Sequence, residues 1–473
     1  MARPLRSAVP KRRNVNTTSC FGALVATLAW MLSSCSSDSR PTLEDPSMAA
    51  GAMSNGSAGK GAVVVPNAVS KIECSTEIKD EDCDKSKRPF VFVHGTYGSG
   101  DNIANVALLF GSNGYCQERF VAVEYNSLGG NPLADLDKLI DEVRAKTGAD
   151  QVELAGHSQG TGHCVSYLKD PAHAAKVAHY VNYSGRSMVP NDVKTLSLSS
   201  DNDIGGVPNH APNAEKTVTL KDIDHFGVAA STEAFVETWK YLYGAEPKYT
   251  SVQCGSDTIT LEGISETFAD NARVADGKLE VYELGDTPRS GTPLMTLMSD
   301  GAGHVGPLQL RRGVAYEFKG IDAQGKVIGR MYFGPFKRSN RLVRFLSPSQ
   351  NILVVGTTSG RVAIGSGHSA LVLRYLGGAF RSDLGNSLKI NGVETLTADN
   401  AGRATSTVGL FMADQNMNKM SELGAAFSAP FIVGTDVYVD ASNPAWIVFD
   451  WNGQVTRIPN WPSSDGLLSV AFQ

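Results

Sequence analysis

Ser158 sits in Gly156-His157-Ser158-Gln159-Gly160, straight after the apolar run Val152-Glu153-Leu154-Ala155. A serine flanked by glycines at the end of a buried strand suits a strand-to-helix turn too tight for bulky neighbours. Such a turn lifts the hydroxyl clear for nucleophilic attack. Attack on an acyl carbonyl also needs a base for the hydroxyl proton, an acid to orient the base, and N–H donors for the oxyanion. His225 is the candidate base. It follows the strand-like segment Lys216 to Leu220 by a short loop, Lys221-Asp222-Ile223-Asp224, which puts it at a strand's carboxyl end. The acid should fall between Ser158 and His225. There Thr195-Leu196-Ser197-Leu198 leads into Ser199-Ser200-Asp201-Asn202-Asp203, so two carboxylates compete. The spacing from Ser200 gives the loop room to turn Asp203 toward His225; Asp201 is the alternative acid. His94-Gly95-Thr96, after the apolar Phe90 to Val93, offers the N–H of Thr96 as one oxyanion donor, and Gln159 offers the second.

The other histidines fit less well. His94 and His157 belong to the turn motifs and shape them; His163, His173 and His179 lie around the serine turn. His210 is close to the candidate acids, and His304 and His368 fall in the second half. Asp222 and Asp224 read as loop or capping groups. Asp201-Asn202-Asp203 has oxygen ligands at alternate positions, but the rest of a calcium loop is missing. No histidine pair has zinc spacing with a third ligand in view, so no metal and no cofactor is expected.

These groups need a frame. Between about Lys87 and Gly244, short apolar runs alternate with helical patterns: strands at Phe90–Val93, Phe120–Val123, Gln151–Ala155, His179–Tyr183, Thr195–Leu198 and Thr217–Leu220. Leu133, Leu136, Leu139, Ile140 and Val143 mark one face of a helix that Gly148 ends, and Ala234 to Leu242 a closing helix. That alternation implies a parallel sheet covered on both faces. After Pro247 the texture changes. Strands are expected at Lys278–Leu284, Val314–Phe318, Ile352–Val355, Leu371–Tyr375 and Val437–Val439, and a hairpin at Trp446–Trp451 with Asn452-Gly453 as its turn. Trp446, Phe449, Trp451 and Trp461 could build a lipid-contacting surface, although aromatic residues more often build cores.

The chain has 473 residues, room for more than one core. A net charge of −5 leaves no basic footprint for nucleic acid. The organisation expected is an export signal over 1–35, a flexible Ser/Gly/Ala-rich tether over 36–70, a catalytic domain over 71–248 and an all-β region over 249–473. The last has a potential break dividing it into 249–348 and 349–473. The signal has a basic start, an apolar stretch from Phe21 to Leu32, and Leu32-Ser33-Ser34-Cys35, which matches a bacterial lipobox. Cys35 would then carry lipid and hold the chain on a membrane of the cell envelope; cleavage without lipidation would instead give a secreted protein. In an oxidising compartment some remaining cysteines should pair. Cys74 and Cys83, closing a short polar loop, are the first expectation, with Cys164 a buried free thiol.

Phe92-Val93-His94-Gly95-Thr96, Gly156 to Gly160 and Asp224-His225 resemble the small α/β-hydrolase lipases of bacteria. The fit of Val193 to Leu198 to the strand before the acid in such enzymes implies Asp203 as the acid. In the second half, Leu279 to Leu284, Gly306-Pro307-Leu308, Gly313 to Phe318 and Tyr332 to Phe336 running into Arg341-Leu342-Val343-Arg344 are similar to the β domain of a two-domain archaeal lipase. The resemblance implies an α/β-hydrolase fold followed by an all-β, lipid-binding region, with a lipid or ester substrate, most readily a triacylglycerol lipase or carboxylesterase. A polyester depolymerase, another acyl hydrolase with the same triad, and a non-catalytic surface-binding lipoprotein are the alternatives.

Overall fold

A computed structural model describes residues 72, 74, 76–204, 206–289, 291–347, 363–403 and 405–473. The expected signal, Cys35, the tether, the break near Pro348 and the strand at Ile352–Val355 lie outside the described residues. Among the described residues no helix is long and apolar enough to cross a membrane.

The strands of the first half are β1 (Phe90–Val93), β2 (Phe120–Val123), β3 (Val152–His157), β4 (Val177–Tyr183), β5 (Thr195–Asn202) and β6 (Lys216–Asp224). They form one sheet in the order β2-β1-β3-β4-β5-β6, and every neighbouring pair is parallel. β1 shows why its sequence is apolar throughout. Phe90 and Phe92 join a core with the helices Ala104–Ser112 and Thr232–Tyr243. Val91 and Val93 join the opposite core with the helices Leu133–Thr147 and Gln159–Leu168. A strand buried on both faces cannot alternate apolar with polar residues.

The second half is built of strands. They are β7 (Thr258–Thr267), β8 (Lys278–Glu283), β9 (Met295–Met298), β10 (His304–Arg311), β11 (Tyr316–Ile321), β12 (Val327–Phe333), β13 (Asn340–Ser347) and β14 (Leu371–Tyr375). They continue with β15 (Leu388–Ile390), β16 (Val393–Glu394), β17 (Gly409–Ala413), β18 (Ala425–Ala429), β19 (Ile432–Asp436), β20 (Trp446–Trp451), β21 (Gln454–Pro459) and β22 (Leu468–Phe472). They make a sheet β10-β7-β13, a sheet β16-β15-β20-β21 and a long sheet β18-β19-β17-β14-β22-β12-β11-β8-β9. β22 pairs in parallel with both β12 and β14, stitching the chain's last strand between earlier ones. Among the described residues the only α-helix after 248 is the short Ala398–Ala401. The first half is thus a parallel sheet with helices on both faces and the second an all-β region.

Some expectations change. The strand expected at Val437–Val439 is instead β19, ending at Asp436; Val437 and Val439 are buried beyond its end. Cys74 and Cys83 do not pair with each other. Cys74 bonds Cys254 across a sequence separation of 180, and Cys83 bonds Cys116, because the chain returns Cys254 beside the first described residues while Cys83 faces the end of the first long helix. Cys164 is buried and free, as expected. Phe449 and Trp451 belong to a core, and Trp461 packs against that core with the Arg330 guanidinium 3.9 Å from its ring centre.

The two halves share structure. Leu342 of β13 enters a core of the parallel sheet. Arg344 of β13 donates to Glu124 from Nε at 2.7 Å, and Arg374 of β14 pairs with Asp101 at 2.8 Å.

Candidate active site

In the parallel sheet, the residue directly after each strand is polar: His94 after β1, Glu124 after β2, Ser158 after β3, Ser184 after β4, Asp203 after β5 and His225 after β6. All six stand at the carboxyl edge, where backbone donors and diverging loops leave room for chemistry.

Ser158 holds φ 52° and ψ −120°, a conformation costly for any side chain but glycine. Three bonds to its backbone keep it there. Its N–H donates to the Tyr183 carbonyl at 3.0 Å, and its carbonyl accepts from the Thr161 N–H at 3.0 Å and the Thr161 hydroxyl at 2.6 Å. Gly160 is dictated by close approach, since a Cβ there would lie 2.2 Å from the Val93 carbonyl oxygen. At Gly156 a Cβ would lie 2.8 Å from Cys164 Sγ. Gly95 abuts the serine itself: its Cβ would meet that of Ser158 at 2.9 Å. Across this contact the Thr96 hydroxyl donates to Gln159 Oε1 at 3.0 Å, tying together the two candidate oxyanion residues. Gln159 is the first helical residue, so its N–H has no partner within the helix.

His225 Nδ1 donates to Asp203 Oδ1 at 2.5 Å, with both side chains buried. Asp203 Oδ2 accepts from the hydroxyls of Ser184 at 2.7 Å and Ser199 at 2.8 Å. Burial alone would raise the Asp203 pKa, but the bond to and charge of His225, and then the two hydroxyls, bring it down to about 2. Asp201, by contrast, is exposed and accepts from the N–H of Asp222 at 3.1 Å. The carboxylate brought to His225 is therefore Asp203. β5 runs four residues further than expected, so Asp201 lies inside the strand and Asp203 at its end. β6 likewise runs to Asp224 and delivers His225 with no intervening loop. Asp224 accepts from the N–H groups of Phe226 and Gly227, a capping role.

His157 connects the serine turn to the base. Its Nε2 donates to the His225 carbonyl at 2.9 Å, and the two rings lie 4.8 Å apart. His225 Nε2 is buried and makes no hydrogen bond, so it forms none with Ser158 in this resting arrangement. The base thus packs against the residue that precedes Ser158 and leaves Nε2 unbonded; catalytic hydrogen bonds are often made only once substrate binds.

Burial, reinforced by the neighbouring His225, pushes His157 from 6.5 down to about 3. The folded chain therefore keeps this ring neutral while the unfolded chain takes up a proton near 6.5. As pH falls below 6.5 the unfolded state binds more protons, so stability falls and goes on falling until about 3. At pH 5 this single group costs about 2 kcal/mol. His157→Gln retains a donor for the His225 carbonyl, and its melting temperature should depend less on pH between 7 and 5 than that of the unsubstituted chain. Equal slopes would contradict the assignment.

Ser184 and Ser199 were not singled out from the sequence. The position of Ser184 directly after a parallel strand was the available signal. The salt-bridge cluster behind the site was also missed. Glu124 accepts from Arg344 and from the Gly100 N–H at 2.7 Å, and its other oxygen lies 3.5 Å from His94 Nε2. Burial lowers the His94 pKa. Among the described residues the cluster of potential metal ligands is Cys83, Cys116 and Glu118, whose two thiols are joined as a disulfide.

Residues 257–350 match the family model of the lipase C-terminal domain, and residues 359–473 match a second C-terminal domain family. Among solved structures, the chain is similar to the propeptide form of Bacillus licheniformis lipase BlEst2, with 14% identity over 55% of this chain and 94% of that one, TM-score 0.27. It is similar to Aspergillus fumigatus lipase B at 14% identity, over 35% of this chain and 54% of that one, TM-score 0.26. The product of gene lin2722 of Listeria innocua is similar at 14% identity over 35% and 98%, TM-score 0.26. The first half is thus a parallel sheet covered by helices, and the lipase C-terminal domain match falls on the all-β half, at residues 257–350.

Proposed function

We propose that the chain hydrolyses carboxylic esters through Ser158, His225 and Asp203. The observation that carries this reading is the 2.5 Å bond from His225 Nδ1 to Asp203, at the sheet edge that also presents Ser158 on its tight turn. Ser158 Oγ attacks the ester carbonyl while its proton passes to His225 Nε2. Asp203 keeps Nδ1 protonated, so Nε2 is the basic nitrogen, and it stabilises the imidazolium that forms. The N–H groups of Thr96 and Gln159 receive the oxyanion; each such donor is typically worth about 2.7–4 kcal/mol at the transition state. The imidazolium then protonates the departing alcohol, leaving an acyl-enzyme. Water attacks next, its proton going to His225, and the carboxylic acid leaves as Ser158 recovers its proton.

The lipase C-terminal domain match at 257–350 favours a lipidic ester such as a triacylglycerol. Lipidation at Cys35 would hold the enzyme on a membrane of the cell envelope, facing such substrates. The test is a panel of p-nitrophenyl butanoate, emulsified tributyrin, an aliphatic polyester and an acyl thioester. Acid release from the first two is expected. Turnover confined to the polyester or the thioester moves the substrate class, and turnover of none overturns the reading.

A further inference from the structure

β18 and β19 form a hairpin whose register, Ala429 opposite Ile432, leaves Pro430-Phe431 as a two-residue turn. Phe431 takes φ 65° there. That position favours glycine, and a bulky residue held in it signals that its side chain has a task. The turn is anchored, because the Phe431 carbonyl accepts from the Val408 N–H at 2.8 Å and the Gly409 N–H at 3.2 Å. The ring is consequently aimed rather than free.

It is aimed at the candidate site. Phe431 meets Phe226 edge-on at 5.2 Å and Tyr97 at 6.2 Å between ring centres. These two residues directly follow the base His225 and the oxyanion residue Thr96. Phe226 in turn meets the His225 ring at 5.3 Å and the His157 ring at 5.8 Å. Burial separates the groups into two tiers. His94, His157, Asp203 and His225 are buried, whereas Thr96, Tyr97, Ser158, Gln159, Phe226 and Phe431 are all half-buried. The second tier is therefore a surface that solvent or a substrate can touch. Beside it lies a cavity of about 30 Å³ bordered by Tyr97, His157, Phe226 and Phe268. That is far below the ~300 Å³ or more of a ligand pocket. A long chain does not fit this cavity and would run along the accessible side of the half-buried rings. In the loop that begins with Asp203, Ile204 and Val207 are exposed.

We infer that Phe431, supplied by the all-β region, completes one wall of the substrate cleft and selects for esters with a long aliphatic chain. The inference rests on the reading of Ser158 as nucleophile. The kcat/KM for p-nitrophenyl dodecanoate divided by that for the butanoate measures it. In Phe431→Gly this ratio should fall at least fivefold, and Phe431→Leu should fall between the glycine variant and the unsubstituted chain. A merely structural role would lower both esters together and leave the ratio alone. Should the glycine variant not fold, as judged by its melting curve, the leucine variant carries the test with a twofold threshold. Labelling of Ser158 in the unsubstituted chain by a short alkyl fluorophosphonate separates the two ways of failing. A labelled serine with a ratio that moves less than these thresholds overturns the wall alone. An unlabelled serine overturns the nucleophile reading and the wall with it.

Discussion

Asp203→Asn is expected to lower kcat on p-nitrophenyl butanoate by about four orders of magnitude, equivalent to about 5 kcal/mol of transition-state stabilisation. The amide cannot hold His225 with its proton on Nδ1, because an Asn NH2 facing that nitrogen presents a donor and favours the opposite tautomer. Nε2 would then carry a hydrogen and could not accept the one on Ser158. The fold should survive, since the Asn carbonyl can still accept from the hydroxyls of Ser184 and Ser199, which now bond Oδ2. Asp201→Asn is the control. Its carboxylate is exposed and accepts from the Asp222 N–H and the Asn202 side-chain amide, away from His225, so kcat should stay within about twofold. Steady-state rates with melting curves for both variants decide the matter, and similar losses in the two would contradict the geometry.

Arg344→Met is expected to destabilise the chain by about 3–5 kcal/mol, read as a lowered urea midpoint at pH 7. Arg344 lies between two carboxylates buried as fully as itself, Glu124 with Nη2–Oε1 at 2.5 Å and Glu266 with Nε–Oε1 at 3.6 Å. A methionine fills much of the volume but leaves those carboxylates facing each other without their shared cation. The Glu266 carboxyl is already pushed up by burial and by the charge of Glu124. Removing one charge should relieve the strain, so the double variant Arg344→Met/Glu124→Gln should recover more than half of the loss. Simple additivity of the two single variants would show that the cluster is not energetically coupled. The cluster also joins the halves. Glu124 holds the Gly100 N–H in the segment after the candidate oxyanion residue Thr96, and a truncation after about residue 249 would strip it of Arg344. The all-β region is thus part of the frame of the site and not a detachable appendage.

Ser158 and His225 were legible because a tight strand-to-helix turn and a strand-end histidine leave local marks. The acid was legible only as a pair. Ser199-Ser200-Asp201-Asn202 carries no apolar alternation and reads as loop, yet it continues β5 with Ser199 and Ser200 buried. Their hydroxyls reach Asp203 and the Ile223 carbonyl, so a polar strand end is stable only because the site it builds satisfies it. The disulfides were illegible for another reason. Cys74 finds Cys254 through the return of the chain after the parallel-sheet half, a long-range event that spacing does not encode. Buried arginines were hidden too, since Arg344 and Arg374 in a strand pattern read as solvent-facing residues until their partners Glu124 and Asp101 are known. Phe431 gave no sign at all: its importance lies in a backbone angle and in two rings from the other half.

The most direct test of the triad is the site of covalent capture. The full-length chain is treated with an alkyl fluorophosphonate and digested, and the adduct is located by mass spectrometry. A single adduct on Ser158 is expected, absent in Ser158→Ala and formed at least a hundredfold more slowly in His225→Ala. An adduct on another serine, or labelling of Ser158 that is indifferent to the loss of His225, would contradict the account.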